Sequence, residues 1–137
     1  MHLRQYDFVA LNVAVDDYEV GKIVDAYTVA ESNNFSLFFS FDMSYDWQQA
    51  DMASLISAHA SSPSSFKFNG SLLVSSFAGQ DNGNDFWSGL KSALAAQNIN
   101  VVLAPAFTSD PFRDPTQAKA QVAAFPAIDG FFNWWSW

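Results

Sequence analysis

The sequence contains no cysteine. That excludes a disulfide scaffold, thiolate-ligated zinc, an iron–sulfur cluster and a cysteine nucleophile. Basic residues are scarce, with 6 Lys and Arg against 14 Asp and Glu, for a net charge of -8. A protein that neutralises phosphates needs a basic face, so nucleic acid and anionic membrane are not expected partners. No apolar run approaches the roughly 20 residues of a membrane-spanning helix. The first residues, Met1-His2-Leu3-Arg4-Gln5-Tyr6-Asp7, lack the apolar stretch and small-residue cleavage site of a signal peptide. The phosphate-binding patterns GxGxxG and GxxxxGK[ST] and the nucleophile elbow GxSxG are also missing. His2 and His59 are isolated, without metal-ligand spacing, and read as structural. No cofactor and no metal are expected.

What the chain has in quantity is apolar and aromatic side chains. Half of its 137 residues are hydrophobic and 17% are aromatic, including 14 Phe and 5 Trp. Only 15% are charged, which excludes an intrinsically disordered chain. The length suits one domain with an ordinary core.

Five short apolar runs read as strands: Phe8–Val15, Ser36–Phe41, Leu72–Phe77, Asn100–Phe107 and Ile128–Trp134. They are nearly continuous rather than alternating, the pattern of parallel strands covered on both faces. Four helical patterns lie between them. The first carries Val20, Ile23, Val24, Tyr27 and Ala30, and the second Met52, Leu55, Ile56 and His59. The third carries Phe86, Leu90, Ala93 and Leu94, and the fourth Ala118, Val122 and Phe125. Asp16, Asp46, Asp85 and Asp114 stand where N-caps are wanted, with Pro115 suited to a first helical position. Connections rich in Gly, Asn, Ser and Pro, such as Ser61-Ser62-Pro63-Ser64-Ser65 and Asn69-Gly70, separate the segments.

Strand and helix thus alternate with a period of roughly 30 residues, one βα unit. An open doubly wound sheet fits this order, and so does part of a (β/α) barrel, which typically needs about 250 residues. The length favours the open sheet. The ends favour the barrel, because the chain starts almost on a strand and stops at Asn133-Trp134-Trp135-Ser136-Trp137. The expectation is therefore a barrel segment lacking strands on both sides. Its outer strands, Phe8–Val15 and Ile128–Trp134, would be open edges that favour self-association.

In parallel α/β folds function gathers at the carboxyl ends of strands. Those ends carry Asn12, Asp42, Tyr45, Asn133, Trp135 and Trp137, with no Lys or Arg until Arg113. Carboxamides, a carboxylate and aromatic rings suit a neutral polyhydroxylated ligand: the polar groups bind hydroxyls and the rings pack on a sugar's C–H face. Asp42 ends the run Leu37-Phe38-Phe39-Ser40-Phe41, where an unpartnered carboxylate would be costly. The terminal tryptophans are either a sugar platform or core packing. Two sequons, Asn34-Phe35-Ser36 and Asn69-Gly70-Ser71, fall in helix-to-strand connections at the opposite end.

Five segments, in order and at similar separations, resemble glycoside hydrolase family 71, the fungal α-1,3-glucanases or mutanases. They are Phe8-Val9-Ala10-Leu11-Asn12-Val13, Ser40-Phe41-Asp42-Met43-Ser44-Tyr45, Leu73-Val74-Ser75-Ser76-Phe77-Ala78-Gly79, Leu103-Ala104-Pro105-Ala106-Phe107-Thr108 and Ile128-Asp129-Gly130-Phe131-Phe132-Asn133-Trp134-Trp135-Ser136-Trp137. The resemblance implies an eight-stranded (β/α) TIM barrel, of which residues 1–137 would be about strands two to six. It implies hydrolysis of α-1,3-glucosidic bonds in cell-wall glucan, outside the cell or in the wall. Such hydrolysis needs two carboxyl groups flanking the bond. The family's pair is expected in a Trp-Asn-Asp-Tyr-x-Glu-Ser motif, which this chain lacks. Catalytic residues are therefore not assigned here. Where the family often carries an acidic residue after Phe-Ala-Gly, this chain has Gln80, followed by Asp81. Gln80 joins Asn12, Asp42, Tyr45, Asn133, Trp135 and Trp137 as substrate-binding candidates. The alternatives to a partial hydrolase domain are a non-catalytic carbohydrate-binding module and a small open flavodoxin-like protein.

Overall fold

The computed structural model describes residues 8–109 and 114–132. The elements run β1 (Phe8–Val13), α1 (Asp17–Asn33), β2 (Ser36–Asp42), α2 (Gln49–His59), β3 (Lys67–Phe68), β4 (Ser71–Phe77), a 3-10 turn (Gln80–Asn82), α3 (Gly83–Ala95) and β5 (Val101–Leu103). A short helix, α4 (Ala118–Ala124), follows. Strands β1, β2, β4 and β5 are parallel and adjacent in chain order. Each crossover therefore steps one strand in the same direction, with no reversal of order.

Parity decides which residues meet the helices. Val13, Leu37, Phe39, Phe41, Leu72, Val74, Val101 and Leu103 share one face of the sheet. These residues form one buried cluster with Ile23, Tyr27 and Ala30 of α1, Met52 and Ile56 of α2, and Trp87, Leu90 and Leu94 of α3. All three helices therefore cover the same face. Among the described residues no helix covers the other face.

The other face is concave. Phe38 of β2 is 3% exposed and lies outside the helix-side cluster. Its ring is 6.0 Å from Phe8 of β1 and 6.2 Å from Phe132. Phe132 lies beyond β5, where its N–H donates to the Pro105 carbonyl at 3.0 Å. In a flat sheet, segments three positions apart stand about 14 Å from one another. Curling of the sheet around its helix-free face brings the two rings together.

The sequence patterns need several corrections. Val20 and Val24 on α1, and Val122 on α4, are exposed, so α1 packs through Ile23, Tyr27 and Ala30, with Ala26 beside them. Ala93 of α3 is exposed and Trp87 takes the core position. Helix α2 is entered through Gln48 and α3 through Asn82, neither with a side-chain cap. Asp46 accepts instead from Gln48 Nε2, at 3.3 Å, and Asp85 sits in the first turn of α3, where the helix dipole favours it. Asp114 caps a turn ahead of α4 by accepting from the Thr116 N–H and hydroxyl at 2.9 and 2.7 Å. The expected strand over Ile128–Trp134 is not one within its described part, 128–132. The Asp129 carboxylate takes the Leu103 N–H at 2.9 Å, the place a backbone carbonyl would hold in a ladder.

One strand was not foreseen. The turn Asn69-Gly70 folds β3 antiparallel onto β4, with Phe68 opposite Ser71. Phe66 donates to the Leu37 carbonyl and accepts from the Leu73 N–H, so this segment wedges between the amino ends of β2 and β4.

Candidate functional site at the strand carboxyl ends

Register builds the concave face in rows. Asn12 pairs with Ser40, and Ser40 with Ser75, giving a polar row across three adjacent strands. Asp42 pairs with Phe77, and Phe77 with Ala106, giving the next row toward the carboxyl ends. Here a row of carboxamide and hydroxyls lies under a carboxylate.

Within the polar row, Ser75 Oγ donates to the Ala104 carbonyl at 2.8 Å. Ser40 is 1% exposed, and its Oγ has no partner among the described residues. Asn12 is exposed at the end of β1. Neither serine stood out in the sequence, although both interrupt apolar strands.

Asp42 is half-buried as the last residue of β2. Its Oδ1 accepts from the Ser44 N–H at 3.0 Å and the Ser44 hydroxyl at 2.6 Å. The chain turns there: the Tyr45 N–H donates to the Asp42 carbonyl and the Met43 N–H to that of Phe77. The carboxylate thus has the polar partner that its position demands, from its own turn. Tyr45 stands on the same turn, 48% exposed. Trp47 follows it, buried with its ring edge-on to Phe41 at 5.0 Å. Its Nε1 has no partner among the described residues.

The end of β4 is held in an unusual backbone. Ala78 and Gly79 both have positive φ, 58° and 105°. Ser76 Oγ donates to the Ala78 carbonyl at 2.7 Å, and Trp87 Nε1 to that of Gly79 at 3.1 Å. Consecutive left-handed residues are costly and persist where their surroundings enforce them. Gln80 comes next, and its Oε1 accepts the Thr108 N–H at 3.2 Å, tying the ends of β4 and β5 together. Its side-chain carbonyl oxygen thus serves the scaffold. Asp81 is exposed on the 3-10 turn.

Asn12, Asp42, Tyr45 and Gln80 therefore gather at one end of the sheet. Asn133, Trp135 and Trp137 lie outside the described residues. Among the described residues no cluster of three His, Cys, Asp or Glu could hold a metal ion. No described helix is long and apolar enough to cross a membrane.

Residues 3–137 match the glycosyl hydrolase family 71 profile, and the chain belongs to that family. It is similar to a glucan endo-1,3-alpha-glucosidase of Schizosaccharomyces pombe, with 32% identity over 96% of this chain and 31% of that protein. It is also similar to a mutanase of Penicillium rubens, with 31% identity over 96% of this chain and 27% of that protein. The chain thus spans less than a third of the length of these curated relatives. No solved structure matches it.

Proposed function

We propose that residues 1–137 are part of the (β/α) barrel of an extracellular or cell-wall glucan endo-1,3-alpha-glucosidase, and that their strand carboxyl ends line the site for α-1,3-glucan. The observation that carries this reading is Asp42, half-buried at the end of β2 above the polar row Asn12–Ser40–Ser75. Family membership and the names of the relatives supply the substrate class. Unidirectional strand order, helices on one face and a concave opposite face support a barrel segment over a doubly wound, flavodoxin-like sheet, which reverses its order. In this reading strands β1, β2, β4, β5 and the Ile128–Trp134 segment stand for strands two to six of eight.

Each candidate has a role set by its chemistry. Asp42 accepts hydrogen bonds from glucose hydroxyls, which are donors. Asn12 and Asn133 offer both donor and acceptor, and Gln80 offers its amide N–H₂. Tyr45, Trp135 and Trp137 pack on pyranose C–H faces. Hydrolysis further needs an acid and a base or nucleophile flanking the bond, and Asp42 fills one role at most.

The test is co-sedimentation of the chain with insoluble α-1,3-glucan, run beside starch. Binding to the former is expected, weakened about tenfold by Asp42→Ala, the loss of roughly one charge-assisted hydrogen bond. No reducing sugar should be released. Equal retention of wild type and Asp42→Ala overturns the site, and release of sugar that Asp42→Asn abolishes overturns the division of labour.

A further inference from the structure

The hairpin β3–β4 carries one of the two sequons in a setting the other lacks. Its loop is Asn69-Gly70, and both residues have positive φ, 49° and 83°. This is the I′ class of two-residue turn, which matches the twist of the flanking strands. Phe68 and Ser71 are directly opposed across the hairpin. Opposed side chains share a face, so the phenyl ring and the sequon hydroxyl stand on the same side of the turn. Phe68 is 54% exposed, lies outside the core cluster and makes no ring contact among the described residues. A Cβ placed at Gly70 would meet nothing within 4 Å, so the tip is open to a bulky group.

We propose that Asn69 is a site of N-linked glycosylation, and that the first N-acetylglucosamine packs its C–H face on the Phe68 ring and holds the hairpin closed. In the attachment step, Asn69 Nδ2 attacks the anomeric carbon of a lipid diphosphate-linked oligosaccharide. The new N–C bond forms as the C–O bond to the diphosphate breaks, the amide gives up one proton, and the lipid diphosphate leaves. No electron changes hands. The proposal rests on the reading of an exported hydrolase, because this transfer belongs to the secretory route. Aromatic faces bind sugar C–H surfaces, and covering an exposed phenyl at a short edge strand removes a site for unwanted pairing. The modification lies at the amino ends of the strands, opposite Asp42, and leaves the proposed glucan surface open. Asn34 is the internal control: it follows α1 with φ 56°, but its neighbour Phe35 packs against the core and offers no platform.

The chain is secreted from a fungal host behind a supplied leader. Mass spectrometry of the tryptic peptide Phe68–Lys91 is expected to show hexosamine on Asn69. After trimming to one N-acetylglucosamine, the melting temperature should exceed that of Asn69→Gln by about 3–5 °C. In Phe68→Leu and Phe68→Ala backgrounds that gain should fall below about 1 °C, whereas loss of any glycan at Asn34 should shift the melt equally in all backgrounds. An unmodified Asn69, or a gain that survives in Phe68→Leu, overturns the proposal. Failure to bind glucan with the glycan gain intact sinks the hydrolase reading and leaves this one standing.

Discussion

Gly79 is the residue on which the end of β4 turns. At φ 105° it occupies backbone that L side chains rarely adopt. A Cβ there would stand 2.6 Å from Trp87 Cζ2 and 3.0 Å from Met43 Cγ. Trp87 is fully buried and bonded to the Gly79 carbonyl, so it cannot withdraw. Gly79→Ala is expected to cost about 2–4 kcal/mol, combining backbone strain with overpacking. Chemical denaturation measures this, and a loss below 1 kcal/mol would show that the turn relaxes freely. His59 gives the pH dependence. Its ring stacks on Tyr27 with centroids 4.2 Å apart. Burial lowers its pKa from 6.5, opposed in part by the charge of Glu31. The unfolded chain therefore takes up a proton near pH 6.5 that the folded chain resists, and stability declines as pH falls through that value. The drop in melting temperature between pH 7.5 and 5.5 should be smaller in His59→Gln. An unchanged drop would assign it to other groups.

At the scale of elements, the segment after α4 lies beside β5 through backbone bonds from Asp129, Gly130 and Phe132 to the carbonyls of Leu103 and Pro105, and a polar side-chain clamp completes the contact. Asp129 accepts the Leu103 N–H at 2.9 Å and pairs with Lys91 of α3 at 2.7 Å. Lys91 also donates to the Ala127 carbonyl, and Asn84 accepts the Ala127 N–H. Asp129→Ala and Lys91→Met should therefore differ. The first strands the N–H of Leu103, a fully buried residue, at about 1–3 kcal/mol. The second removes a partly exposed ion pair, worth about 0–1 kcal/mol. Equal losses, measured by urea unfolding, would show that the ion pair and not the backbone bond carries the clamp. This clamp explains why the last apolar run misled. Hydrophobicity put the chain beside β5, correctly, but hydrophobicity carries no information on whether a side chain or a backbone carbonyl meets Leu103. The hairpin was legible only in part: Asn69-Gly70 marked a turn, but β3 is two residues long and too short to show a period. Strands β1, β2 and β4 were legible as short, nearly continuous apolar runs and the three long helices as apolar repeats three and four residues apart. The polar row was not, since Ser40 and Ser75 acquire meaning only when register aligns them. Asp42 was legible because a carboxylate directly after five residues of nearly unbroken apolar strand is unusual wherever the strand goes.

At the scale of the whole molecule, the described residues form a sheet with helices on one face and a curled opposite face. Among the described residues no strand pairs with the outer edge of β1, and its Phe8 and Val9 are 44% and 45% exposed. Val20, Val24 and Val29 of α1 add further exposed apolar surface. In a closed barrel a neighbouring strand–helix unit would cover an edge and a helix flank of this kind. The same surface, uncovered in a solution of the 137-residue chain, offers unpaired N–H and C=O groups beside apolar side chains, which is the combination that recruits a second chain. Sedimentation velocity is expected to show concentration-dependent association. Introducing a charge on the edge, as Val9→Lys, should shift the population toward monomer without lowering the melting temperature, since Val9 contributes little to the core. A monomer at high concentration with one sharp unfolding transition would instead mean that the sheet is complete as it stands. That result would remove the barrel segment, and with it the expectation that the catalytic carboxyl pair is contributed by strands other than these.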